Sequence, residues 1–154
     1  MNKDKIVEVV DLFIENEKLL CEIYSEFAQQ IPEKKDFWSQ ISAEENSHKM
    51  WIRGLKREID DKTAKFDEDI FSKENLIEGI ENVRSVRKRV EREKITHKKA
   101  LELAYEIEIN MSETDFFSAF HGVSDAVKRV FTQLEIASRK HVQTLKLEIE
   151  NTNG

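Results

Sequence analysis

A shift of 93 residues sets His48 on His141 and carries the first helical pair of the chain onto the second without a gap. In that register Tyr24 meets Phe117, Phe27 meets Phe120, Trp38 meets Phe131, Gln40 meets Gln133, Ile41 meets Leu134 and Ile52 meets Leu145. Helical periodicity alone fixes neither loop length nor residue identity. A common register through two helices and their connection therefore points to a pair of related αα-hairpins.

The rest of the chain agrees with long helices. Four glycines and one proline in 154 residues, with 36% charged and 39% hydrophobic side chains, suit helices with solvated outer faces rather than sheets and turns. The expected fold is all-α, one domain over residues 1–150 with a frayed tail at 151–154. Helices are predicted over about residues 5–30 and 35–60, separated by Pro32, then over about 96–120 and, after an N-cap at Ser124 or Asp125, to about Glu150. The short link at Pro32 implies antiparallel neighbours. Residues 61–94 form a long crossover between the second and third of these helices, with some helix of its own, and its charged run at 84–94 reads as a solvated face.

Charge and cysteine usage narrow the partners. The net charge of −6 is modest and its signs are interleaved, which disfavours nucleic acid and membrane surfaces as partners. Cys21 is the single cysteine, so no internal disulfide forms and a reducing compartment fits. Without a signal-like or membrane-spanning apolar run, the expected location is the cytoplasm.

The chemistry lies on the inward faces. Trp38, Ile41, Glu45, His48, Ile52, Leu55 and Ile59 follow one another at three- and four-residue steps, so two polar groups stand where a core would take leucine. The first helix places Glu17 in a similar row with Val7, Val10, Ile14, Cys21, Tyr24 and Ala28. A buried carboxylate needs a partner, and either a metal ion or a hydrogen-bonded Glu–His knot would supply one. The third row reads Ala100, Leu103, Ile107, Asn110, Thr114 and Phe117, and the fourth Val127, Phe131, Leu134, Ser138, His141 and Leu145. His97 points away from its row, and His121 lies too far along the third helix to share a site with Asn110.

Glu17 followed one heptad later by Tyr24, the Glu45-Asn46-Ser47-His48 motif, and the stretch Ala100-Leu101-Glu102-Leu103-Ala104-Tyr105-Glu106-Ile107-Glu108 together resemble the ferritin-like superfamily, and within it the rubrerythrin type. The resemblance spans nearly the whole chain. It implies an antiparallel four-helix bundle in which each hairpin gives a Glu from its first helix and a Glu-x-x-His from its second to a di-iron centre. By the repeat, Asn110 and Ser138 stand at two of the carboxylate positions, leaving His141 as the ligand of the second hairpin. Glu17 and Glu45 carry two negative charges, which balance one divalent ion, so a single iron or other divalent metal held by Glu17, Glu45, His48 and His141 is expected over two. Glu106, Glu113 and Tyr24 are possible accessory groups.

The resemblance implies reduction of peroxide or dioxygen at iron. No Cys-x-x-Cys pair is present to hold a rubredoxin-type iron, so electrons would come from a separate donor. A homodimer is the expected assembly. The alternative is a non-catalytic bundle in which the Glu/His cluster binds a metal without turnover or is a metal-free structural or interaction relic. Ferritin-like storage is a third, weaker reading.

Overall fold

Proline cannot donate a backbone hydrogen bond and disfavours helix in the residue before it, so the first helix must stop near Pro32. In the computed structural model, which describes residues 3–59, 63–110 and 113–153, it does so. Helix α1 covers Lys3–Gln30, a 3₁₀ turn with proline near its start covers Pro32–Lys34, and α2 covers Lys35–Leu55. Cys21 faces Ser42 and Asp11 pairs with Lys56, so α1 and α2 run antiparallel. The remaining elements are β1 (Lys65–Phe66), α3 (Lys73–Arg92), α4 (His97–Asn110), α5 (Glu113–Ser118), β2 (Phe120–His121) and α6 (Asp125–Asn153). The protein is mostly helical, as its composition implies.

The crossover is more ordered than its scattered sequence pattern suggests. Ser72 caps α3 by accepting from the backbone N–H of Asn75 at 3.0 Å, while Glu74 in the first turn and Arg89 and Arg92 in the last complement the helix dipole. Helix α3 lies parallel to α1, with Glu8 against Lys73, Glu15 against Arg84 and Glu22 against Arg87. These half-exposed pairs set register more than stability. Burial of Leu76, Ile80, Val83 and Val90, at about 1.5–3 kcal/mol for each side chain, contributes far more. Residues 84–94 are therefore not simply a solvated face, because Val90 sits inside the run and Arg84 and Arg87 reach acids of α1. Gln30, at the end of α1, donates to the Val90 carbonyl at 2.7 Å and accepts from Ile95 N–H at 2.9 Å, fastening the end of the crossover.

Two further expectations change. The third predicted helix does not reach Phe120, which instead pairs with Phe66 in the short antiparallel β1–β2 bridge. At the end of that bridge Gly122 has φ +72°, and a Cβ there would lie 2.0 Å from the carbonyl oxygen of Thr63, so only glycine fits. Ser124 accepts from Val127 N–H at 3.2 Å as the N-cap of α6. Helix α6 then continues to Asn153, past the expected end near Glu150.

Helices α4 and α6 pack antiparallel, with His97 near Glu148 and, beyond α4, Phe117 stacked on Phe131 at 4.8 Å. Trp38 of α2 donates from its indole N–H to His97 at 3.1 Å, and Tyr24 of α1 reaches Glu108 of α4. The aromatic core centres on Phe116, whose ring meets those of Phe13, Phe66, Phe71, Phe117 and Phe120. These contacts link α1 and α2 to α4, and α4 to α6. No helix among the described residues is long and apolar enough to cross a membrane.

Candidate metal centre

The row read along the second helix holds through α2: Trp38, Ile41, Glu45, His48, Ile52 and Leu55 are all buried, with Ser42 beside them. His141 enters the same interior from α6 and is 3% exposed. Its Nδ1 lies 2.9 Å from Glu45 Oε1, and His48 Nδ1 lies 3.7 Å from Glu45 Oε2. The two imidazole rings stand 5.1 Å apart between centroids. Each of Glu45, His48 and His141 offers one ligand atom, and these atoms all lie within 4.8 Å of one another. Two imidazole nitrogens and a carboxylate oxygen at this spacing could hold a metal ion.

Glu17 is fully buried in α1 but does not join that three-residue group. Its charge nonetheless reaches Tyr24. Burial first, then the carboxylates of Glu108 and Glu45, and lastly that of Glu17, hold the Tyr24 hydroxyl well above the usual phenol range. Tyr24 accordingly stays protonated and donates to Glu108 Oε1 at 2.8 Å.

Glu108 is the residue that reading by repeat passed over. It is 5% exposed, and its Oε1 lies 4.0 Å from His141 Nδ1. Asn110, assigned to the inward row in its stead, is exposed at the end of α4. The buried face of α4 is Ala100, Leu101, Leu103, Ala104, Ile107 and Glu108. The steps Leu101, Ala104, Glu108 are the signal that could have found it, since they repeat the three- and four-residue spacing of Ile41, Glu45, His48. Ser138 is half-buried one turn before His141 and brings no carboxylate. Glu106 is exposed in a groove beside Asn82 and Arg89 of α3, so it is a rim residue and not an accessory ligand. The side chain of Glu113 lies outside the described residues. His97 and His121 sit away from the centre, the one with Trp38 and Glu148, the other exposed near Asp67.

The charge count therefore changes from two carboxylates to three: Glu17, Glu45 and Glu108 are buried, and no lysine or arginine among the described residues is. His48 cannot offset them near neutrality, because burial, followed by the neighbouring His141, lowers its pKa to about 4. A neutral His48 has a free lone pair for a metal. It also makes the metal-free fold pH-dependent. The unfolded imidazole takes up a proton below about pH 6.5 while the folded one resists to about 4, so the contribution of His48 is complete above about 6.5 and is lost as the pH falls toward 4. Relative to a His48→Gln variant, the parent is expected to lose on the order of 2 kcal/mol between pH 7 and 4.5, read from urea midpoints. A constant gap between the two proteins would contradict this.

Compared with protein-family models, with curated proteins and with solved structures, the chain matches none.

Proposed function

We propose that this protein is a ferritin-like, rubrerythrin-type bundle of α1, α2, α4 and α6 that binds one divalent transition-metal ion, iron by preference, through Glu45, His48 and His141. The observation that carries this reading is the convergence of those three buried ligand atoms from two helices within 4.8 Å. Two histidines and one carboxylate form the donor set that suits non-haem iron(II) with coordination positions left open. The buried Glu17 and Glu108 support iron further, since three carboxylates suit an ion that alternates between two and three positive charges. Bound there, iron would supply electron transfer to peroxide or dioxygen. The protein's part is to hold the ion in a dry interior, with Tyr24 fixing Glu108 by a hydrogen bond. A separate electron donor, a cytoplasmic setting and a homodimer belong to the same proposal.

A second reading has its own observation. His141 bonds directly to Glu45 through one nitrogen and to Glu44 through the other, so this ring can satisfy both of its nitrogens without an ion. The two readings separate on anaerobic loading with iron(II) followed by elemental analysis. About one ion per chain is expected, with an absorption that peroxide bleaches. About two per chain would enlist Glu17 and Glu108 in a dinuclear site, and none would leave the hydrogen-bonded cluster as the answer.

A further inference from the structure

We infer that Glu44 is the positioning residue of His141: it accepts a hydrogen bond from Nε2–H and so presents Nδ1 to the metal. The inference rests on the metal-binding reading above. Glu44 and Glu45 are consecutive on α2 and therefore project about 100° apart, yet both reach the same imidazole. Glu44 Oε2 lies 2.6 Å from Nε2 and Glu45 Oε1 lies 2.9 Å from Nδ1, so the ring is gripped across its width by adjacent residues. The side chain of His141 is 4% exposed while that of Glu44 is 38% exposed, which places Glu44 at the solvent edge and Nδ1 toward the interior. Glu108 Oε1, 4.0 Å from Nδ1, lies on that interior side as well.

The chemistry follows from what each group can donate. An ionised carboxylate only accepts hydrogen bonds, and both ring nitrogens face one; when an ion takes the place of the hydrogen between Nδ1 and Glu45, the Nε2–H bond to Glu44 is the one that remains. Imidazole binds a metal through the other, bare nitrogen, and a carboxylate behind a ligating histidine both fixes its tautomer and strengthens it as a donor. His48 is held differently. Its ring lies 5.9 Å from that of Trp51, a half-exposed indole. The two histidines of the site are thus unequal, and His141 is the one whose orientation is set by a carboxylate outside the ligand group.

The test uses zinc ion with the full chain, as parent, Glu44→Gln and Glu44→Ala. Affinity is measured by competition with a chromophoric chelator, and the imidazole tautomers by nitrogen–proton correlation spectra of the zinc-loaded protein. The parent is expected to show His141 protonated at Nε2 and bound through Nδ1. Glu44→Ala is expected to weaken zinc binding by about 10–100-fold and to speed exchange of the Nε2 hydrogen with water. In Glu44→Gln the amide carbonyl can still accept, so the tautomer persists and the loss is smaller. Zinc affinity in Glu44→Ala within about twofold of the parent, where about tenfold or more is expected, would overturn the role of Glu44. So would a His141 protonated at Nδ1 in the loaded parent, an observation that needs no variant to fold. A parent that binds neither zinc nor iron would remove the metal reading and this one together, whereas a parent that binds beside an indifferent Glu44→Ala removes only this one.

Discussion

Glu45→Gln is expected to raise the melting temperature of the metal-free protein while taking away its capacity to hold an ion. Glu45 is 1% exposed and shares the interior with the carboxylates of Glu17 and Glu108. Removing a carboxylate from water costs several kcal/mol even after relaxation, and like charges in one interior add to that cost. Glutamine has the same shape, and its amide can either accept from or donate to His141 Nδ1, which lies 2.9 Å from the present oxygen. The substitution thus removes a charge and keeps a hydrogen bond. A gain of about 1–2 kcal/mol, or roughly 3–8 °C for a chain of this size, is the expected size of the effect. Metal affinity is expected to move the opposite way by at least about 100-fold, since a ligand contributes more than the residues supporting it. Calorimetry on chelator-treated protein and a competition titration read the two effects separately. A lower melting temperature would show instead that the Glu45 charge stabilises the metal-free cluster, as the hydrogen-bonded reading requires.

The largest stability loss is expected at Phe116→Ala. Its ring is 1% exposed, stacked on Phe13 at 4.4 Å, and within 5.4–5.7 Å of Phe66, Phe71, Phe117 and Phe120. These partners come from α1, from β1 and the crossover just after it, and from α5 and the segment leading into α6, so one side chain joins parts of the chain that are distant in sequence. Truncating a buried phenylalanine costs about 3–5 kcal/mol through lost burial and the cavity left behind. The melting temperature is expected to fall by about 10 °C. Met50→Ala, at a side chain that is 52% exposed, provides the contrast and is expected to stay within about 0.5 kcal/mol of the parent. A Phe116→Ala urea midpoint close to that of Met50→Ala would mean that the ring cluster does not join these segments.

Sequence reading recovered α2 best because its inward row is unbroken from Trp38 to Leu55 and the helix keeps one phase throughout. The repeat also carried correctly onto α6, where Leu134, His141 and Leu145 are buried as their partners Ile41, His48 and Ile52 are. It failed on α4. Asn110 and Phe117, seven residues apart, share a face only if one helical phase runs through both, yet Asn110 is exposed and Phe117 buried. The inward face of α4 centres on Ala104, Ile107 and Glu108, a different phase from that of Phe117. The charged residues of α3 hid a core helix for a related reason. Its apolar positions are few, and their burial depends on α1 lying against them, which no local pattern reports.

His141 and Glu45 are 96 residues apart in the chain and 2.9 Å apart in space. Bringing the ends of so long a loop together costs about 4 kcal/mol of chain entropy. Helix packing and the aromatic cluster work against that cost. In an unfolded chain α2 could offer only Glu45 and His48, a weak pair without its third member. An ion that prefers the complete set binds the folded chain far better than the unfolded one, and its binding free energy adds to stability by mass action. The metal affinity of such a site is therefore also a gauge of chain closure, and any change that loosens α6 from α2 would register there before the helices themselves melt.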